Sequence, residues 1–143
     1  MTVPARVSIL TLGVSDLARS TKFYQALGWK LAPDSSSEIS FFRTAGGVLA
    51  LYSFDLLARD AMLPAVRAQG FGGVTLAINV ERAEDVQPGL DVAAQAGAAI
   101  LKPATKAAWG GVSGYFADPD GYPWEVVWAP KSRFKADGSL DVD

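Results

Sequence analysis

The chain has 143 residues, 50% of them hydrophobic and 20% charged, with a formal net charge of −2 at pH 7. This is enough for one domain with a real core and fits a soluble globular class; no apolar run reaches the length of a membrane span, and the scattered basic residues leave no footprint for nucleic acid. With Cys 0 and His 0, disulfides, thiolate chemistry, serine–histidine mechanisms and imidazole metal shells are all excluded, which leaves carboxylates, Lys, Arg, Tyr, hydroxyls and backbone. The opening MTVPARVSIL lacks the apolar region and cleavage site of a signal peptide, so a cytoplasmic location is expected.

Val7 to Val14 alternates as a strand, with Leu10, Leu12 and Val14 on a core face and Ile9, Thr11 and Gly13 on the other. Ser15 or Asp16 then caps a helix carrying Leu17, Phe23, Tyr24 and Leu27, and Gly28 supplies its left-handed stop. Further strands are expected from Trp29 to Leu31, Glu38 to Thr44 and Val48 to Ser53, around a loop at Pro33 to Ser37 and a turn at Ala45-Gly46-Gly47. Phe54 to Gly73, with mixed apolar spacing around Pro64, reads as a linker holding one or two short helical turns.

The same pattern then returns. Val74 to Val80 alternates, Glu84 to Ala96 is helical up to Gly97, Ala98 to Lys102 is a strand, and Pro103 to Gly111 a loop. Val112 to Ala117, the turn Asp118-Pro119-Asp120-Gly121 and Trp124 to Trp128 form a closing hairpin. One constant offset sets Phe41 against Phe116, Gly46 against Gly121 and Ala50 against Glu125, so one βαβββ unit is used twice. The expected class is α+β: a single domain over residues 1–130, with modules at 5–54 and 74–130, a linker at 55–73 and a polar tail at 131–143.

Glu125 stands out, because Trp124 and Val126 flank it in a strand apolar on both faces. A carboxylate there lines a concavity rather than open water, where it needs a partner, a metal or a ligand. The alternation puts Ile9, Thr11, Ala50, Tyr52, Thr75, Ala77, Glu125 and Val127 on one groove-facing side, a wall of small and apolar groups with one carboxylate.

LTLGVSDLARSTKFYQALGW at Leu10 to Trp29 and YFADPDGYPWEVVW at Tyr115 to Trp128 resemble the vicinal oxygen chelate superfamily, which includes glyoxalase I, bleomycin-resistance proteins, extradiol dioxygenases and fosfomycin-resistance enzymes. The resemblance covers all but the tail and implies paired βαβββ modules forming a concave, partly open mixed sheet. It implies four metal-ligand positions, which fall here on Ile9, Ala50, Thr75 and Glu125. Only Glu125 is a strong ligand type, so no tight metal and no cofactor is expected, and a divalent ion would be held weakly with several waters. By analogy the resemblance also implies a homodimer.

The reading that follows is a binder of a small apolar or aromatic molecule, akin to bleomycin-resistance proteins, with Arg43, Tyr52, Trp109 and Tyr115 as further groove candidates. Trp124 and Trp128, of opposite parity to Glu125, are assigned to the core. The alternative is a lyase, isomerase or dioxygenase-like enzyme that uses a weak metal site, or Glu125 as a base with Arg43 or Lys102 stabilising negative charge.

Overall fold

The computed structural model describes residues 1–142; Asp143, the end of the expected tail, lies outside them. In β1 (Ile9–Val14) the alternation comes out as expected, with Leu12 and Val14 buried and Ile9 51% exposed. α1 (Leu17–Ala26) follows, capped by the Asp16 side chain on the N–H of Arg19. β2 (Ile39–Arg43) pairs antiparallel with β3 (Val48–Ser53), and β3 pairs parallel with β1. α2 (Phe54–Asp60), capped by Ser53, fills the start of the linker.

The second module holds β4 (Leu76–Asn79), α3 (Val86–Gln95), β5 (Ala99–Lys106), β6 (Val112–Ala117) and β7 (Pro123–Trp128). Its order, β4-β7-β6-β5 with β4 parallel to β7, repeats the β1-β3-β2 order of the first sheet. The repeat extends to the helix ends. Gly28 N–H bonds to Gln25 O and Trp29 N–H to Tyr24 O, at 2.9 and 3.3 Å; Gly97 N–H and Ala98 N–H bond to Ala94 O and Ala93 O, at 3.1 and 2.9 Å. Both helices therefore stop with the same paired carbonyl cap around a left-handed glycine.

Some expectations change. The strand from Trp29 to Leu31 reduces to one bridge, Leu31 to Phe42. Phe41, on the outer edge of β2, has its carbonyl taken by Ala32 N–H at 2.7 Å and its N–H taken by Ser35 Oγ at 2.9 Å, and Pro33 has no N–H to continue a ladder. β5 instead runs through Pro103 to Lys106, where a loop was expected. It is an edge strand with register shifts on both sides of Lys102, which is where a proline is tolerated. The polar tail folds back as a hairpin of β8 (Arg133–Phe134) and β9 (Leu140–Asp141). Asp137 Oδ1 accepts from Ser139 N–H at 2.9 Å and Ser139 Oγ–H at 2.6 Å, so the polar residues build their own turn.

No hydrogen bond joins the two sheets among the described residues. The modules are held instead by α1 lying against the turn between β6 and β7. The Tyr24 hydroxyl donates to Asp118 Oδ2 at 2.6 Å and accepts the Trp124 indole N–H at 3.1 Å. Asp118 Oδ1 meanwhile accepts the N–H groups of Asp120 and Tyr122, at 3.0 and 2.9 Å, so one carboxylate shapes the turn and docks the helix. Asp120 accepts from Ser15 N–H, Ser15 Oγ and Ser20 Oγ, and Tyr122 donates to Gly13 O. Phe23 packs near Phe116, and Phe116 stacks on Trp124, within one core shared by both modules. Gly114 permits this packing beneath α3, since a Cβ there would stand 2.5 Å from Leu90 Cδ1 and 2.8 Å from Lys102 O.

Burial pushes the Asp118 carboxyl up, against the opposing effect of the Tyr24 hydrogen bond, and burial with the adjacent Asp118 pushes the Tyr24 phenol up. The folded state thus holds the Asp118 proton more firmly than the unfolded state, and stability falls as pH rises from the ordinary carboxylate range through the raised one. Tyr24→Phe leaves Asp118 Oδ2 and the Trp124 N–H without their partner, with an expected loss on the order of 3 kcal/mol. Because the lost bond is charge-assisted only when Asp118 is ionised, denaturant melts should show a larger deficit at about pH 7 than at about pH 4. Equal deficits at both would show that Asp118 is not the partner that matters.

Candidate functional site

The pleat decides what each sheet offers on the face away from α1 and α3. In the first sheet Thr11 lies beside Ala50 and Phe41, Ile9 and Arg43 beside Val48, and Gly13 and Ile39 beside Tyr52. This face is apolar, and its Gly13 end is roofed: α2 begins so close that a Cβ on Gly13 would stand 3.0 Å from Phe54 Cα. In the second sheet one cross-strand row runs Lys102, Tyr115, Glu125, Ala77, with Ser113, Val127 and Asn79 in the next row.

Tyr115 and Glu125 interact directly. Burial first, and then the Glu125 carboxylate beside it, push the Tyr115 hydroxyl above its usual range. Glu125 is half-buried, with a neutral donor beside it and Ala77 on its other side. It can accept a further donor.

The residues expected to share one groove fall into separate groups. Ile9, Thr11, Ala50, Tyr52 and Arg43 belong to the first sheet's face, and Tyr115 and Glu125 to the second's. Thr75 is exposed just before β4, and Trp109 sits in the β5–β6 connection, its indole folded over Gly111 and 60% exposed. Ala50 is wholly buried by its neighbours. Ile9 and Ala50 carry no donor atom, and among the described residues no group of three carboxylates is placed to hold a metal ion. The donor set does not fit the metal shell that the resemblance implies.

A large cavity lies elsewhere. About 1380 Å³ opens between the modules, walled by Leu10, Trp29, Leu49, Leu76, Ile78 and Trp124, with Phe134 and Leu140 of the C-terminal hairpin on its border. Among the expected groove residues, Arg43, Thr75 and Ala77 reach it. Its wall strands present the core-side parity, which sequence alternation assigns to packing. The signal that marks it is the pair of apolar residues, Phe134 and Leu140, in an otherwise polar tail.

The profile of the Glyoxalase/Bleomycin resistance protein/Dioxygenase superfamily matches residues 6–126. The chain is similar to a glyoxalase-related enzyme from Fulvimarina pelagi, at 34% identity and a TM-score of 0.87, over 97% of this chain and 99% of that one. It shares its fold with a glyoxalase/bleomycin resistance protein/dioxygenase family enzyme from Burkholderia phytofirmans PsJN, at 17% identity and a TM-score of 0.77 over 87% and 98% of the two chains. It also shares it with a lactoylglutathione lyase from Agrobacterium tumefaciens, at 20% identity and a TM-score of 0.67 over 89% and 96%. No functionally curated protein matches the sequence. With the profile spanning both modules and the topology repeated in each, the chain belongs to the glyoxalase/bleomycin resistance protein/dioxygenase superfamily.

Proposed function

We propose that this protein is a cytoplasmic, metal-independent binder of a small apolar or aromatic molecule, with Glu125 as the polar anchor of a groove built from the two apolar sheet faces. The observation that carries the reading is that Glu125 lies directly across the sheet from Tyr115 and Ala77, with Val127 in the next row. Ile9, Thr11, Ala50 and Tyr52 supply the wall on the first sheet, and Thr75, Arg43 and Trp109 stand at its margins. A ligand donor group would complete the acceptor capacity of Glu125, and the apolar wall would take its body.

A second reading is favoured by one row of residues. Lys102, Tyr115 and Glu125 are successive cross-strand neighbours, so a base, a phenol and a cation share one face. In that reading Glu125 removes a proton next to a carbonyl of the ligand and Lys102 offsets the charge that develops on oxygen, as in a metal-independent lyase or isomerase.

A homodimer is part of the proposal. β1 and β4 are both edge strands, and the linker between the modules leaves Met62, Val66 and Phe71 exposed, with Met62 at 91%. Open edges and exposed apolar side chains favour a partner, and a second copy would bring a groove face of one module against that of the other.

Glu125→Gln should cost ligand affinity roughly 1.5 to 3 kcal/mol while leaving the melt nearly unchanged, read by calorimetric titration with a ligand found by screening. Unchanged affinity would remove Glu125 from the site, and a collapsed melt would make it a structural partner of Tyr115. Elemental analysis after dialysis should find no stoichiometric transition metal; one tightly held nickel, zinc or iron per chain would overturn the metal-independent reading. Sedimentation at micromolar concentration should show a species of about twice 15.1 kDa, and a 15.1 kDa species alone would rule out the dimer.

A further inference from the structure

Glu125 does not line the cavity between the modules, because Trp124, in its wall, is the pleat neighbour of Glu125 and points the opposite way; Arg43, Thr75 and Ala77 border both. Three features define what it suits. Its walls are apolar and include two tryptophans, Trp29 and Trp124, meeting edge to face at 5.6 Å between ring centroids. Among the described residues its charged lining is cationic, Lys30 and Arg43, with no carboxylate. Among the described residues neither cation has an ion-pair or side-chain hydrogen-bond partner within the chain, although the chain as a whole is acidic.

Two unpaired cations bordering an apolar cleft in a protein of negative net charge are complementary to an anion carrying an apolar body. The volume of about 1380 Å³ exceeds the roughly 300–1000 Å³ of an ordinary small-molecule pocket, so an elongated body is accommodated better than a compact one. From this we infer that the cavity is a second ligand site, taking an amphipathic carboxylate whose apolar chain lies along Trp29 and Trp124 while Lys30 and Arg43 receive the carboxylate. The site does not depend on the reading of Glu125, which does not line it.

The test uses the intact protein with decanoate, decanol and decyltrimethylammonium as probes, followed by calorimetry and by tryptophan emission. Decanoate should bind saturably, about tenfold or more tighter than decanol, and the cation should bind least. The substitution Lys30→Gln, at an exposed position outside the Glu125 groove, should cut the preference for decanoate severalfold and leave decanol binding and the melt as they were. Raising the salt concentration should narrow the gap between the two probes. Equal binding of decanoate and decanol to the unaltered protein would overturn the carboxylate assignment, as would a Lys30→Gln variant that keeps the full preference. The absence of saturable binding would overturn the site itself. Loss of the decanoate signal as the chain self-associates would make a second copy of the chain the occupant, and the proposal would fall.

Discussion

The arrangement of this molecule rests on the carboxylate of Asp118. It is 4% exposed, so burial disfavours its charge and its hydrogen bonds offset part of that cost. One oxygen takes two backbone N–H groups and fixes the turn between β6 and β7; the other takes the Tyr24 hydroxyl and fixes α1 against that turn. Tyr24 in turn holds the Trp124 indole. Since Trp124 is committed to the core, the pleat leaves Glu125 no choice but the opposite face. A side chain in the first module thus sets the direction of a carboxylate in the second.

Asp120 supports the same junction from its outer side. Its carboxylate is almost wholly covered yet has Arg19 at 3.8 Å and Arg67 at 3.5 Å, besides its three hydrogen bonds from Ser15 and Ser20. Arg67 also lies 4.2 Å from the centroid of the Phe54 ring, which ties the linker to the turn and to α2. The sequence Asp-Pro-Asp-Gly therefore does more than reverse the chain.

The sequence was most legible where local rules agree. Alternation in Leu10, Leu12 and Val14 and in Leu76 and Ile78 assigned the faces correctly, and Gly28 and Gly97 stop their helices as expected. Where it was less legible, a contact distant in sequence decides the outcome. The short strand after Trp29 is displaced because Ser35 reaches Phe41, and Pro103 is accommodated because β5 has no outer neighbour. The position of the groove residues was legible face by face but not between modules. Periodicity says which way a side chain points from its own sheet, and nothing about which sheet it will meet. The inter-module cavity was hidden for the same reason, as a tryptophan at core parity reads identically whether it is covered on all sides or borders a void.

Residues 61–75, between α2 and β4, contain no helix or strand and are exposed throughout. The modules are joined far more firmly by Tyr24, Asp118, Asp120 and the shared aromatic core than by this covalent strap. The strap acts mainly as a tether that keeps the local concentration of one half high around the other. Apart from Arg67, which reaches Asp120 and Phe54, the strap adds nothing to the junction among the described residues, so the two halves meet as the subunits of a dimer do, through side chains that a break in the strap would not touch.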